Sequence, residues 1–336
     1  MYFSKFWLSC IIIFLVVFYL SIAWGGTFSS PSEVFRVLIS RKPESYEQAS
    51  ILYQRFPRAM IAIYAGLIMA SSGLVFQGLI RNPLASASSL GVNAGATLFV
   101  VGSALIFEAN LAEQGSAALL GGLFGFLLCT TIARIAGVSE KTTGLMLILS
   151  GSLTTMLLIG LSNALLLSYA DRRSEFLSWI AGNINHAYID RLYEFWWIGL
   201  IALVFVFLLS KPLTLILLGN EKASSMGVRT VAISRFAMAC AIVASCSATA
   251  VCGPISFIGL IVPHMVKPLV GQDFRLTLPA SALIGAILCL LASSVSQNAF
   301  QPYVVNTGII LDLFGGIVFI LLIRKFYVSP QNRRDI

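Results

Sequence analysis

Arg55-Phe-Pro-Arg58, the uncharged run from Ala59 to Ile80, and Arg81-Asn-Pro-Leu84 follow one another without interruption. A helix rising 1.5 Å per residue needs about 20 apolar residues to cross a hydrocarbon core of ~30 Å. Ala59 to Ile80 has that length and carries no charge. The arginine pair and Arg81 are therefore expected on opposite faces of a membrane. One face carries a basic, recognition-like pair; the other carries a polar loop that ends before Gly91. The segment reads as part of a conduit.

Composition extends this reading to the whole chain. Of its 336 residues 58% are hydrophobic and only 11% charged, with a mean hydropathy of +0.90. A water-soluble domain shows roughly a quarter charged residues, so a soluble globule is excluded. The net charge of +8 is then no argument for nucleic acid. It is the Lys/Arg excess that multi-span membrane proteins carry in cytoplasmic loops. The six cysteines all sit in apolar surroundings. Cys240, Cys246 and Cys252 recur every six residues, which on a helix separates successive sulfurs by about 240°. They share no face, so small buried hydrophobes are expected in place of a metal site or a disulfide framework.

Apolar segments fall at about 6–24, 59–80, 92–107, 115–136, 144–168, 193–210, 230–250, 255–269, 276–297 and 304–323, with 92–107 and 255–269 short. The expected fold is an all-α polytopic membrane protein of about ten spans, forming one transmembrane domain over 1–336. The run after Lys5 lacks a cleavage signal and reads as the first span. An even count puts both termini on one side. With that side cytoplasmic, fourteen of the 22 Lys and Arg residues fall inside and eight outside, in keeping with the positive-inside rule. The outer charges concentrate before Arg58 and in 171–191, which suggests a docking surface, while the mildly amphipathic stretch Ser32–Ile39 is expected to lie on the outer face. Small residues at Gly91 and Gly95, Gly121 and Gly125, and Gly315 and Gly316 suit close helix packing. Gly121-Gly122 lacks the Lys-Ser/Thr of a phosphate loop, so ATP-driven transport would need a separate ATPase.

Three blocks in register carry a resemblance. They are Arg55-Phe-Pro-Arg58 through Gln77-Gly-Leu-Ile-Arg-Asn-Pro-Leu-Ala85 and Leu90-Gly-Val-Asn-Ala-Gly95; Leu218-Gly-Asn-Glu-Lys-Ala-Ser-Ser-Met-Gly227; and Gly253-Pro-Ile-Ser-Phe-Ile-Gly-Leu-Ile-Val-Pro-His264, continuing to Gly271-Gln-Asp-Phe-Arg275. Over nearly the whole chain the sequence resembles the FecCD-type permeases of iron-siderophore, haem and cobalamin ABC importers. The resemblance implies a type II ABC importer permease architecture in the bacterial inner membrane. It also implies pairing with a second permease, two ABC ATPase subunits below and a substrate-binding protein above. No cofactor is expected on this chain; ATP and Mg belong to the partner ATPase.

The resemblance also assigns roles. Arg55 and Arg58 would meet acidic residues of the binding protein, a task suited to bidentate guanidinium groups; interfacial snorkelling is the blander reading. Asn82, Pro83 and Leu84 would form part of a cytoplasmic gate with Thr142 and Thr143, although this chain lacks the Arg usual after those threonines. Both places could equally be plain helix-ending turns. The segment 217–228, with Leu218, Gly219, Glu221, Ala223, Met226 and Gly227, would couple to the ATPase; by itself it reads as a solvated connector. Gly253, Pro254, Phe257, Gly259, Pro263 and His264 form a structural motif, because His186, the one other histidine, lies across the membrane and leaves His264 no metal partner.

Trp179 and Asn183, in a re-entrant-looking 176–190 segment, and Asp312, mid-span in the last helix, are pathway candidates. An ionisable group at that depth is a functional candidate by default. Asp312 departs from the resembling family, as do Val304-Val305-Asn306 and the absence of an arginine around Gln297–Gln301. These departures favour a heterodimer over a homodimer. The expected cargo is an iron chelate, foremost a ferric siderophore, with haem or cobalamin as alternatives. An ion-coupled secondary transporter would need inverted repeats and midplane acids, and only Asp312 fits. An intramembrane enzyme would need clustered catalytic groups at membrane depth, which the two separated histidines do not supply.

Overall fold

Backbone groups in a lipid core have no water to bond, so a chain this apolar must satisfy them within helices. The structure, a computed structural model, describes residues 2–25, 27–137, 143–169, 171, 173–301 and 303–323. Within these, seven helices are long and apolar enough to cross a membrane, and Val92–Ile106, Phe257–Val270 and Thr307–Leu321 are shorter apolar helices. The chain opens with α1 (Tyr2–Ala23) and a minimal antiparallel pair, β1 (Trp24–Gly25) and β2 (Thr27–Phe28). The surface helix α2 (Pro31–Ser40) follows. Pro31 starts it, Ser30 caps it, and only Val34 and Val37 are buried. Then come α3 (Tyr46–Ser50), a π-helical turn (Ile51–Arg55) and α4 (Phe56–Ile80).

The remaining helices are α5 (Val92–Ile106), α6 (Leu111–Ile135), α7 (Thr143–Ser168), α8 (Arg173–Ile180), α9 (Ile189–Leu208) and α10 (Ser210–Leu217). After them come α11 (Asn220–Ser225), α12 (Thr230–Cys252), α13 (Phe257–Val270), α14 (Phe274–Asn298) and α15 (Thr307–Ile323). Among these α4 is the axis. In its most apolar window 83% of residues are buried, against 22% for α7, and it packs on α9, α12, α13 and α14.

Lipid tails are as apolar as leucine, so helices associate in a membrane by close van der Waals contact and hydrogen bonds more than by burial. Glycine supplies the contact here. A side-chain carbon added at Gly66 would overlap the Gly285 carbonyl of α14, and one at Gly73 would overlap Gly259 of α13. Gly95 and Gly121 meet reciprocally between α5 and α6, and Gly125 meets the Gly91 carbonyl. The small residues singled out at 91, 95, 121 and 125 thus lie in one helix–helix contact. Gly91 also has φ +79°, a left-handed conformation at the entry to α5.

Hydrogen bonds add to this at membrane depth. Tyr64 Oη is bonded to Ser247 Oγ, and both reach the Phe195 carbonyl, joining α4, α12 and α9. Asn93 on α5 accepts from Thr249 Oγ1 on α12 at 3.3 Å and donates to Ser88 Oγ at 2.8 Å. All six cysteines are free and buried, and no group of metal-ligating side chains occurs among the described residues.

Gly66→Leu and Gly95→Leu each force backbone apart and should cost at least about 1–3 kcal/mol. Thermal unfolding of the detergent-purified chain, followed by circular dichroism, should show a lowered Tm for both. Gly160→Leu, at a position with nothing within 4 Å of an added carbon, should leave Tm unchanged.

Candidate functional site

The two ends of α4 organise two polar regions. At its start, Pro57 occupies the first turn, where a missing N–H costs nothing, and the arginines flank it. Arg55 is buried, at 8% exposure, and is committed within the chain. Its guanidinium donates to the carbonyls of Ile22 (3.3 Å), Ala23 (3.4 Å) and Gly25 (3.2 Å). Those carbonyls end α1 and open β1; a helix C-terminus leaves carbonyls unsatisfied and attracts cations. Gly25 leaves room for this, since an added carbon would stand 2.5 Å from Arg55 Cζ.

Arg58 differs. It is only 3% exposed, its Nε has no hydrogen-bond partner, and among the described residues the one ion pair is Arg36–Glu44, elsewhere. Both arginines border an open cavity of about 620 Å³ that also touches Glu47, Gln54, Gln297, Asn298 and Gln301; Glu47 acts electrostatically on Arg55 and forms no ion pair with Arg58. Arg55 is therefore a clasp between α1 and α4, and Arg58 is a buried cation without a counter-ion among the described residues.

At the far end, α4 stops on Arg81 in left-handed conformation (φ 54°). Asn82 Oδ1 then accepts the Leu84 N–H at 2.9 Å, and the Asn82 carbonyl accepts the Ala85 N–H. This side-chain-closed turn presents Pro83 and an exposed Leu84. Thr142 lies outside the described residues. Thr143 opens α7, and its side chain lies outside them too. The start of α7 nevertheless abuts this turn, because Gly144 packs on the Ile80 carbonyl and Gly151 on Ser89.

The segment 217–228 forms α11 between two left-handed glycines, Gly219 (φ 125°) and Gly227 (φ 81°). Ala223 is its single buried side chain. Glu221 is exposed, as are the apolar side chains of Leu218 (63%) and Met226 (65%). Arg81, given no role by the sequence reading beyond marking a membrane face, joins the two loops. Its Nη2 donates to Asn220 Oδ1 at 3.0 Å and to the Ile216 carbonyl at 3.2 Å. No spacing pattern pairs residues 139 positions apart, so only the fold reveals this contact.

The block from Gly253 to His264 is a packing device. Gly253 (φ 78°) ends α12 and fits against Trp179, and Pro254 follows with its carbonyl against Gly182. Gly259 meets α4, Pro263 lies inside α13, and Phe257 packs on Gly315 of α15. His264 Nδ1–H donates to the Leu260 carbonyl at 2.7 Å, and the ring meets Phe319 edge-on.

The pathway candidates separate. Trp179 is buried in the core at 3% exposure, where it supports Gly253 and forms no open wall within this chain. Asn183 ties α8 to α12 and α15 through the Cys252 carbonyl and Ser178, which donates to Asn306. Asp312 is exposed on α15 among Leu313, Phe314 and Ile317, with no polar partner among the described residues.

A bundle of membrane-length helices with its polar machinery gathered at the two ends is a multi-pass membrane transport subunit. The FecCD transport family matches residues 13–325, and the chain belongs to it as a permease subunit of ABC transporters and not an enzyme, with ATP hydrolysis carried by a separate chain. Among its relatives is a Bacillus subtilis protein named "Probable siderophore transport system permease protein YfiZ", 31% identical over 322 residues and 95% of each chain. Another is the Fe(3+)-citrate import system permease protein YfmD of Bacillus subtilis, 34% identical over 285 residues, 84% of this chain and 83% of that one. A solved transporter described as metal-chelate type, in an inward-facing conformation, shares the fold with a TM-score of 0.80 at 23% identity, over 96% of this chain and all of that one.

Removing the clasp and the unpaired cation should act differently. Arg55→Ala loses charge-assisted bonds worth about 1.5–3 kcal/mol and should lower Tm. Arg58→Ala relieves an uncompensated buried charge and should leave Tm unchanged or raised. Parallel melts of the two variants check this.

Proposed function

We propose that this chain is the permease of an ATP-driven importer that takes an iron chelate, foremost a ferric siderophore, into the bacterial cytoplasm. It would sit in the inner membrane with both termini cytoplasmic. Its relatives are named for siderophore and ferric citrate transport, and this carries the cargo class. The partners proposed are a second, non-identical permease, two ABC ATPases that bind ATP and Mg, and a substrate-binding protein. The chain itself holds no cofactor in this reading.

Arg58 is the observation that supports the outer partner. A dehydrated guanidinium without a counter-ion, bordering an open cavity, is satisfied by a carboxylate arriving from a docked protein. Arg55 stiffens the floor of that cavity. At the other end, α11 exposes Leu218 and Met226 on a polar connector, a surface suited to seating in an ATPase cleft. Movement of α11 would reach the turn at Asn82-Pro83-Leu84 through Arg81 and Asn220. Alternating access follows: the ATPase stroke biases a two-state bundle, and the turn with the start of α7 opens or closes the cytoplasmic end. Asp312 and the exposed apolar face of α15 would meet the second permease or the pathway between the two.

Uptake of radioiron-loaded siderophores by cells with and without this chain tests the reading. Deletion should abolish uptake of one chelate only. Arg58→Glu should reduce it by about tenfold or more, given 2–5 kcal/mol for a truncated buried charge pair, at normal membrane levels. Unchanged uptake of hydroxamate, catecholate and citrate chelates would move the cargo to haem or cobalamin, and no effect on those would sink the importer reading.

A further inference from the structure

A second cavity, of about 220 Å³, lies where α4, α13 and α14 meet the end of α10. Two cations border it, Arg81 and Lys267, and among the described residues no carboxylate does. Lys267 is half-buried and held in place: its Nζ donates to Gln77 Oε1 at 3.1 Å. Gln77 is itself buried and oriented by its Nε2, which donates to the carbonyls of Leu260 (2.9 Å) and Gly259 (3.4 Å). The lysine therefore keeps two N–H groups unused.

Arg81 bonds through Nη2 to Ile216 and Asn220, which leaves Nε and Nη1 without a partner among the described residues. Asp273, the acid next along the chain, is engaged elsewhere: its Oδ1 accepts from Thr214 Oγ1 and from the Arg275 N–H. The cavity thus sets a half-buried ammonium beside an exposed guanidinium, with no carboxylate among its described lining residues.

We propose that this cavity binds a phosphate-bearing anion that bridges Lys267 on α13 to Arg81 at the end of α4. Phosphate oxygens match a guanidinium fork and an ammonium together. Basic pockets between membrane helices on the cytoplasmic side take lipid headgroups, and the apolar wall formed by Leu217 and Phe274 suits the glycerol end of such a lipid. Free inorganic phosphate offers the same oxygens. Because Arg81 also holds Asn220, the bound anion ties α11 to α13 and stiffens the connection between the ATPase-facing segment and the bundle. The headgroup source rests on the cytoplasmic placement of this end proposed above; the anion site does not.

Thermal melts of the purified full chain in detergent test the site. One arm titrates sodium phosphate against sodium chloride at equal ionic strength. The other titrates phosphatidylglycerol against phosphatidylcholine in mixed micelles. A saturable rise in Tm is expected in at least one arm; a rise with phosphatidylglycerol alone identifies a headgroup, and a rise with phosphate identifies a soluble anion.

Lys267→Gln should weaken the titration midpoint at least about tenfold, the loss of one charge-assisted contact, and Lys267→Arg should retain it. Gln272→Glu, at an exposed position on the cavity rim, supplies an internal carboxylate without altering Gln77 and should likewise weaken the midpoint, so the test survives if Lys267→Gln fails to fold. No rise in either arm, or an unaltered midpoint in Gln272→Glu, overturns the proposal. Binding is read without transport, so its failure leaves the importer reading standing, and a failure of uptake leaves the anion site standing.

Discussion

Contact between α4 and its neighbours without intervening side chains is the constraint on which the rest of the structure depends. In lipid no solvent pushes helices together, so the gain must come from dispersion contacts and hydrogen bonds at short range. Gly66 against Gly285 and Gly73 against Gly259 provide that range along one helix. With α4 fixed as the axis, its two ends become fixed points. One end holds Arg55 and Arg58, and the other holds Arg81 and the Asn82 turn.

The arginines show how burial divides residues of one type between structure and recognition. Arg55 satisfies carbonyls that α1 leaves open, and its charge serves the helix terminus. Arg58, one turn further along, has the same chemistry and no such partner. A buried charge without compensation is costly; Arg58 is in that condition among the described residues, whereas the cavity at the other end of α4 borders a half-buried Lys267 and an exposed Arg81. Partners or ligands that bring negative charge therefore gain most at the ends of the bundle.

Much of the fold was legible in the sequence because the lipid core imposes length and polarity directly. The absence of charge from Ala59 to Ile80 marks a helix without reference to any neighbour. The glycines at 91, 95, 121 and 125 were visible as close-packing signals, although not that they meet one another. The site was legible in part. Motif resemblance pointed to Arg55, Arg58, the turn at 82–84 and the segment 217–228. Trp179 gave a misleading signal, since an indole among polar residues suggests a lining surface and the fold buries it behind Gly253. Arg81 and Lys267 gave almost none, because a lone cation at a span end is the ordinary mark of a membrane interface.

By itself the sequence determined that this is a membrane protein of about ten apolar segments with polar loops between them, and its three motif blocks tied it to a transport family. Hydropathy is a property of each segment alone, so those conclusions needed no neighbours. Only the tertiary structure decided that Arg55 is spent inside the chain while Arg58 is not, that Arg81 reaches Asn220 across 139 positions, and that Lys267 is aimed by Gln77. Each of these depends on which carbonyl, amide or empty space faces a side chain, and that is set by the packing of helices distant in sequence.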